Sequence, residues 1–281
     1  MSVYIVARSI SRPVWERLQH PLSARVLAVF ERVCDLATDD GGVIALVTPQ
    51  VGDGPLSIVA DVDFATLKPG ALARWNGERL QIGGLKVALD KAVIWEPCPD
   101  WESLRARRDV FVDRLSLLET LALRRAHEDS LLTLTSMQAG GPDVTFDTAR
   151  EAVKVLRAGW EGDAAQLRAG ATQLAGLGTG LTPAGDDFLT GLMLWGWLAH
   201  PDPGCLCHLL AEAAAPRTTI LSAALLRAAA RGECSAAWHA LLAALSRGSN
   251  EEVAGAARGV LAHGATSGAD ALAGFLWGRL S

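Results

Sequence analysis

The stretch Gly176 to Leu194, GLGTGLTPAGDDFLTGLML, concentrates glycines, hydroxyls and two adjacent carboxylates at the start of a strongly apolar segment. Gly176, Gly178 and Gly180 suit a loop with positive φ or close backbone approach, and Thr182 with Pro183 reads as N-cap and first helical residue. Phe188 to Ala199 is apolar on nearly every face, so the helix is expected to be buried. Asp186 and Asp187 then lie near low dielectric, where a charge needs a partner, a metal or a ligand.

A second copy of this pattern lies near the C-terminus. Gly185 to Gly191 aligns without gaps on Gly268 to Gly274, with Thr182 before the first copy and Thr266-Ser267 before the second. Asp187 and Gly191, like Asp270 and Gly274, stand one helical turn apart, so each pair shares a face on which the glycine admits a neighbouring backbone. Two helices packed with their N-termini close together are predicted, and such ends form an anion site.

Asp186, Asp187 and Asp270 would repel a bare anion. Either Asp186 and Asp187 hold Mg²⁺ that bridges to an anionic substrate, or the acids accept bonds from helix N–H groups and from a cationic or amide-bearing substrate. The expected substrate contacts are Gly178, Thr179, Gly180, Thr182, Arg217, Thr218, Thr266, Ser267 and Asp270, with Arg217 supplying a guanidinium for carboxylate or phosphate. The expected catalytic groups are Asp186, Asp187 and His263, the histidine as general acid or base just before the second copy. The plainer alternative makes these acids and hydroxyls caps of buried helices, with Arg217 neutralising them.

These helix starts require a scaffold, and the 281-residue chain divides into two kinds of pattern. An α+β fold is expected: a β-rich domain at 1–97, forming a small, mainly antiparallel barrel or sandwich, then an alanine- and glycine-rich helical bundle at 98–281. After an early helix expected around Arg25 to Leu36, short strand-like runs follow at Val43 to Thr48, Pro55 to Val59, Arg79 to Ile82 and Lys86 to Ile94, with a hairpin turn at Asn76-Gly77. Glu96-Pro97-Cys98-Pro99-Asp100 marks the boundary. Trp101 to about Leu132 is expected as one helix with a stripe of Val110, Phe111, Leu115, Leu118, Leu121 and Leu123, followed by a loop at Gln138 to Asp143. Further helices are expected from a Thr148/Glu151 capping box to Gly159, then at Asp163 to Ala175, Thr219 to Arg231 and Ser235 to Arg247. One more starts from a Ser249/Glu252 capping box, and the last begins near Ser267.

Half of the residues are hydrophobic and 20% charged, with mean hydropathy +0.22, which suits a globular chain with buried subunit contacts and points to a homo-oligomer. A net charge of −5 and the absence of a basic run interleaved with aromatics argue against nucleic acid. The N-terminal residues do not read as a signal peptide and no apolar run spans a bilayer, so a cytoplasmic protein without a membrane partner is expected. The five cysteines suit reduced thiols, and only Cys205, Cys207 and His208 cluster in a way that invites a metal, with spacing wrong for a structural zinc site. No nucleophile elbow, Walker loop, dinucleotide fingerprint or HExxH occurs, and the cofactor expected of these residues is at most Mg²⁺.

GLGTGLTPAGDDFLTGL, TTILSAALLRAAARGE from Thr218 and GATSGADALAG from Gly264 together resemble the AllH-like family, a bacterial family formerly described as a domain of unknown function. It is named for a subunit associated with oxamate carbamoyltransferase in allantoin catabolism. The resemblance covers about Gly176 to Leu280, and the GLTPAGDD block is its most specific part. It implies carbamoyl transfer between oxalurate and phosphate, giving oxamate and carbamoyl phosphate, or the same chemistry on a related small anion, alongside other subunits. The competing expectation is a noncatalytic anion-binding or assembly subunit whose glycine-rich helices form an interface.

Overall fold

The computed structural model describes residues 3–124, 130–132, 144–160 and 162–279. The chain splits into two compact units, Met1–Pro97 and Cys98–Ser281. The first is strand-rich and the second helical, which is the α+β class.

The first unit is one mixed sheet of ten strands: β1 (Val3–Val6), β2 (Ser9–Ser11), β3 (Leu22–Val29), β4 (Val33–Thr38), β5 (Val43–Val47), β6 (Ser57–Val59), β7 (Leu72–Trp75), β8 (Arg79–Ile82), β9 (Leu85–Ala88) and β10 (Val93–Trp95). Their order is β1-β9-β8-β7-β3-β4-β5-β6-β2-β10. Pairing is antiparallel except for β1/β9, β5/β6 and β2/β10. The sheet curls because its first strand is broken after Val6. Ala7 N–H donates to Ala88 at 2.9 Å, and the next residue, Arg8, donates to Val59 at 2.7 Å on the far side of the strand order. Ile10, Val26, Leu36, Leu46, Ile58, Ile82 and Val87 fill the inner face, with Val14 and Leu18 entering from the short helix α1 (Arg12–Arg17) and its C-cap.

The helix expected at Arg25 to Leu36 is instead the hairpin of β3 and β4. Ser23 and Arg25 face outward and Ala24 and Val26 inward, a period-two pattern reinforced by Val26, Val29 and Val33. The Asn76-Gly77 hairpin forms as expected: the Asn76 side-chain oxygen accepts from Glu78 and Arg79 N–H groups, and Gly77 has φ +97°.

The second unit contains α2 (Trp101–Arg105), α3 (Arg108–Leu123), α4 (Val144–Trp160), α5 (Ala164–Leu174), α6 (Ala184–Ala199), α7 (Pro203–Ala214), α8 (Ile220–Ala230), α9 (Ala236–Arg247), α10 (Asn250–Leu261) and α11 (Ser267–Gly278). The expected single helix from Trp101 is interrupted between α2 and α3, and α3 buries Phe111, Leu115, Leu118 and Ala122 while leaving Val110 and Leu123 exposed. The rest of that expectation and the Gln138 to Asp143 loop fall wholly or partly outside the described residues. Thr148 and Glu151 lie inside α4 and Gly159 in its last turn, so they neither start nor end it. The Ser249/Glu252 capping box forms fully. α7, a helix not expected from the sequence, carries Cys205, Cys207 and His208. Cys207 is buried with its thiol on Met193 O, while His208 is exposed and paired with Glu212, so the three do not form a metal centre.

α6 is buried on almost every face, and α11 crosses it at backbone contact. A Cβ on Gly191 would strike the Ala271 carbonyl, and one on Gly274 would strike the Phe188 carbonyl. Phe188 and Ala271 are equivalent in the repeat, so the contact is reciprocal. The entries match too: Gly185 packs on the Leu174 carbonyl at the end of α5, and Gly268 on the Val260 carbonyl near the end of α10. The faint sequence repeat is thus a pair of related helical hairpins, α5–α6 and α10–α11, joined face to face through glycines.

Candidate functional site

The two helix starts are built alike. Pro183 O accepts from Asp186 and Asp187 N–H at 3.0 and 3.2 Å, and Thr266 O accepts from Ala269 and Asp270 N–H at 2.8 and 2.9 Å. Asp187 and Asp270 therefore occupy equivalent positions in the first turns of α6 and α11. Thr182 Oγ1 and Ser267 Oγ are 2.9 Å apart and join the two starts. Thr182 is thus one residue outside the N-cap, which is Pro183, and its hydroxyl binds across to α11 rather than capping α6.

The loop before α6 has the expected left-handed glycines, with φ +71° at Gly176, +112° at Gly178 and +88° at Gly180. Gly176 abuts the Arg217 carbonyl and Gly178 the Ala184 amide, leaving no space for a Cβ at either. Leu181 O accepts from Thr219 Oγ1 at 2.5 Å and from Ser222 Oγ at 3.4 Å, which anchors the loop to α8. Gly178, Thr179 and Gly180 form its exposed tip.

The three aspartates divide into two roles. Asp186 spends its side chain on the scaffold: Oδ1 accepts from Gly176 N–H at 3.0 Å and Oδ2 from the Thr218 hydroxyl. Asp187 and Asp270, 9% and 0% exposed, each have one oxygen, Oδ2, that is buried and without a hydrogen-bond partner. The other Asp270 oxygen accepts from Ser130 Oγ at 3.0 Å and Leu131 N–H at 2.7 Å. Burial raises the pKa of all three carboxyls, and for Asp187 the charges of Asp270 and Asp186 push further in the same direction against the Ser267 hydroxyl. Among the described residues no lysine, arginine or histidine forms an ion pair with them.

Arg217 does not neutralise this cluster. It lies exposed, its carbonyl against the glycine loop, and makes no ion pair among the described residues. His263 lies in the turn between α10 and α11, where its carbonyl accepts from Gly268 N–H at 3.0 Å. It keeps an exposed surface, yet the protein packed around it lowers its pKa by desolvation. No group of three or more His, Cys, Asp or Glu side chains converges to hold a metal among the described residues. A metal here would rest on two carboxylates, and the oxygens open to it belong to Asp187 and Asp270 rather than to Asp186.

Ser130, Leu131 and Ser222 support the cluster and were not anticipated. Ser222 follows Thr219 by one turn, a spacing that places both on one helical face. Ser130 and Leu131 reach Asp270 across 140 and 139 residues, and nothing local signals that contact.

No helix among the described residues is long and apolar enough to cross a membrane. No curated protein and no solved structure matches the chain. Two family profiles do: residues 174–279 match oxamate carbamoyltransferase subunit AllH, and residues 6–94 match the AllH family N-terminal domain. The first begins just before the glycine loop and ends after α11, so it spans both helix starts. The chain belongs to the AllH family.

Proposed function

We propose that this chain is a subunit of a carbamoyltransferase acting on small ureido or carbamoyl anions, converting oxalurate and phosphate to oxamate and carbamoyl phosphate in allantoin breakdown. It works in the cytoplasm beside the other subunits that the family description implies, as a homo-oligomer within that assembly. The observation that carries the reading is the pair of equivalent helix starts holding Asp187 and Asp270, each with a buried, unpartnered oxygen, beside the hydroxyls of Thr182 and Ser267. A ureido anion brings N–H donors, a carbonyl oxygen and a carboxylate, and this site supplies a complement to each.

In the reaction a phosphate oxygen attacks the carbamoyl carbon, the bond from that carbon to the oxamate nitrogen breaks, and the nitrogen takes up the proton that phosphate gives up. Asp187 and Asp270 receive the N–H groups; were a divalent cation bound, these two carboxylates would hold it and it would supply charge neutralisation for the anion. Thr182, Ser267 and the Thr266 hydroxyl donate to the carbamoyl oxygen, where charge grows in the transition state. The N–H groups of Gly178, Thr179 and Gly180, with Arg217 and Thr218 at the rim, hold carboxylate or phosphate. His263, held neutral, passes the proton to the leaving nitrogen. Asp186 fixes the loop that presents these groups.

Calorimetric titration with oxalurate, oxamate and carbamoyl phosphate tests the reading. Binding of at least one ligand by the wild type, weakened tenfold or more in a folded Asp187→Asn protein, is expected; equal binding by the two proteins would sink it.

A further inference from the structure

Asp187 and Asp270 are the acids among the described residues that keep a fully buried oxygen without a hydrogen-bond partner. Each is at least nine-tenths buried, each keeps an oxygen with no donor, and the two occupy matching positions on helices that touch through Gly191 and Gly274. Two carboxylates so placed repel one another, and no described lysine, arginine or histidine offsets them. Asp186, although adjacent, has both oxygens engaged, by Gly176 and Thr218.

We propose that Asp187 Oδ2 and Asp270 Oδ2 are the two protein ligands of a divalent cation, Mg²⁺ or Mn²⁺, bound between the starts of α6 and α11. Mg²⁺ is commonly held by one or two carboxylates and completes its octahedron with water and substrate oxygens, so two carboxylates suffice. The Thr182 and Ser267 hydroxyls, the latter beside Asp187, join the two helix starts and are partly exposed. The cation explains how an acidic cluster takes an anion: it turns the repulsion into a bridge. This last step rests on the carbamoyl-transfer reading; the cation site itself does not.

Mn²⁺ is the probe, because its electron paramagnetic signal falls on binding. Titrated into the full chain at fixed pH, it should bind at about one site per chain, be displaced by Mg²⁺, and lose at least tenfold in affinity in Asp187→Asn and Asp270→Asn. Should either variant fail to fold, the wild-type titration decides alone: no bound Mn²⁺ at millimolar concentration overturns the proposal. Affinity unchanged in both folded variants overturns it equally. Oxalurate binding is then measured with Mg²⁺ and with EDTA. Binding that survives EDTA unaltered removes the bridge and leaves the carbamoyl-transfer reading standing. A chain that binds Mn²⁺ at this pair but no ureido or carbamoyl anion keeps the cation site and loses the carbamoyl-transfer reading.

Discussion

At the scale of the residue, the buried acids of this protein are set by what surrounds each one. Asp35 on β4 is 3% exposed and accepts no hydrogen bond among the described residues, and burial lifts its pKa to about 6. An unfolded aspartate titrates near about 4, so between those values the folded state holds the proton more tightly and stability falls as pH rises. The cost is complete above the folded pKa and amounts to about 2 to 3 kcal/mol. Asp35→Asn should therefore be more stable than the wild type at pH 8, with the gap shrinking towards pH 4, as read from denaturant midpoints at the two pH values. A gap that does not depend on pH would contradict the assignment. Asp186 and Asp187 show how far neighbours in sequence can diverge. One helix start carries both, yet the first ties down a loop and the second keeps an unpartnered oxygen, because successive helical residues point about 100° apart. That Asp186 belongs to the scaffold was not legible from the DD pair. Its partners, Gly176 and Thr218, lie 10 and 32 residues away.

At the scale of the element, glycine decides how α6 and α11 meet. Gly191→Ala or Gly274→Ala would drive a methyl group into a backbone carbonyl of the other helix, and backbone cannot swing aside as a side chain can. Each should cost about 3 kcal/mol or more by thermal or denaturant unfolding. Gly204, in the first turn of α7, has open space around its Cβ position, and Gly204→Ala should be neutral or stabilise by up to about 1 kcal/mol. Equal effects at the three positions would refute the close approach. Gly185, Gly191, Gly268 and Gly274 are thus taken up by contacts within the chain. The C-terminal end of α6 is held by a second device: Arg105 donates to Trp197 O at 2.6 Å and His200 O at 3.0 Å. The paired Asp–x–x–x–Gly pattern was readable because both residues share a helical face. The hairpin of β3 and β4 was not, because Ala, Leu, Arg and Val suit either structure until a partner strand is present.

At the scale of the whole molecule, each unit has its own apolar core, one around Leu36, Leu46 and Ile58 and the other around Phe188, Leu192 and Phe275. Residues 98–281 expressed alone should keep a helical circular dichroism spectrum and melt cooperatively; a chain that stays unfolded would show that the helical unit depends on the sheet. The sequence by itself determined the class of the fold, the change from strand to helix near Pro97, most helix ends, and the two helix starts bearing acids and hydroxyls. Those features are local, written in turn glycines, caps and hydrophobic period. Tertiary structure alone decided the curl of the sheet, the particular carbonyls that Gly191 and Gly274 meet where α6 packs on α11, and which aspartate oxygens go without partners. Each depends on contacts between residues tens to more than a hundred positions apart, such as Thr182 with Ser267 and Asp270 with Ser130. Side-chain spacing along one chain carries no record of such contacts, because they exist only once separate helices have been brought together by the burial of their apolar faces.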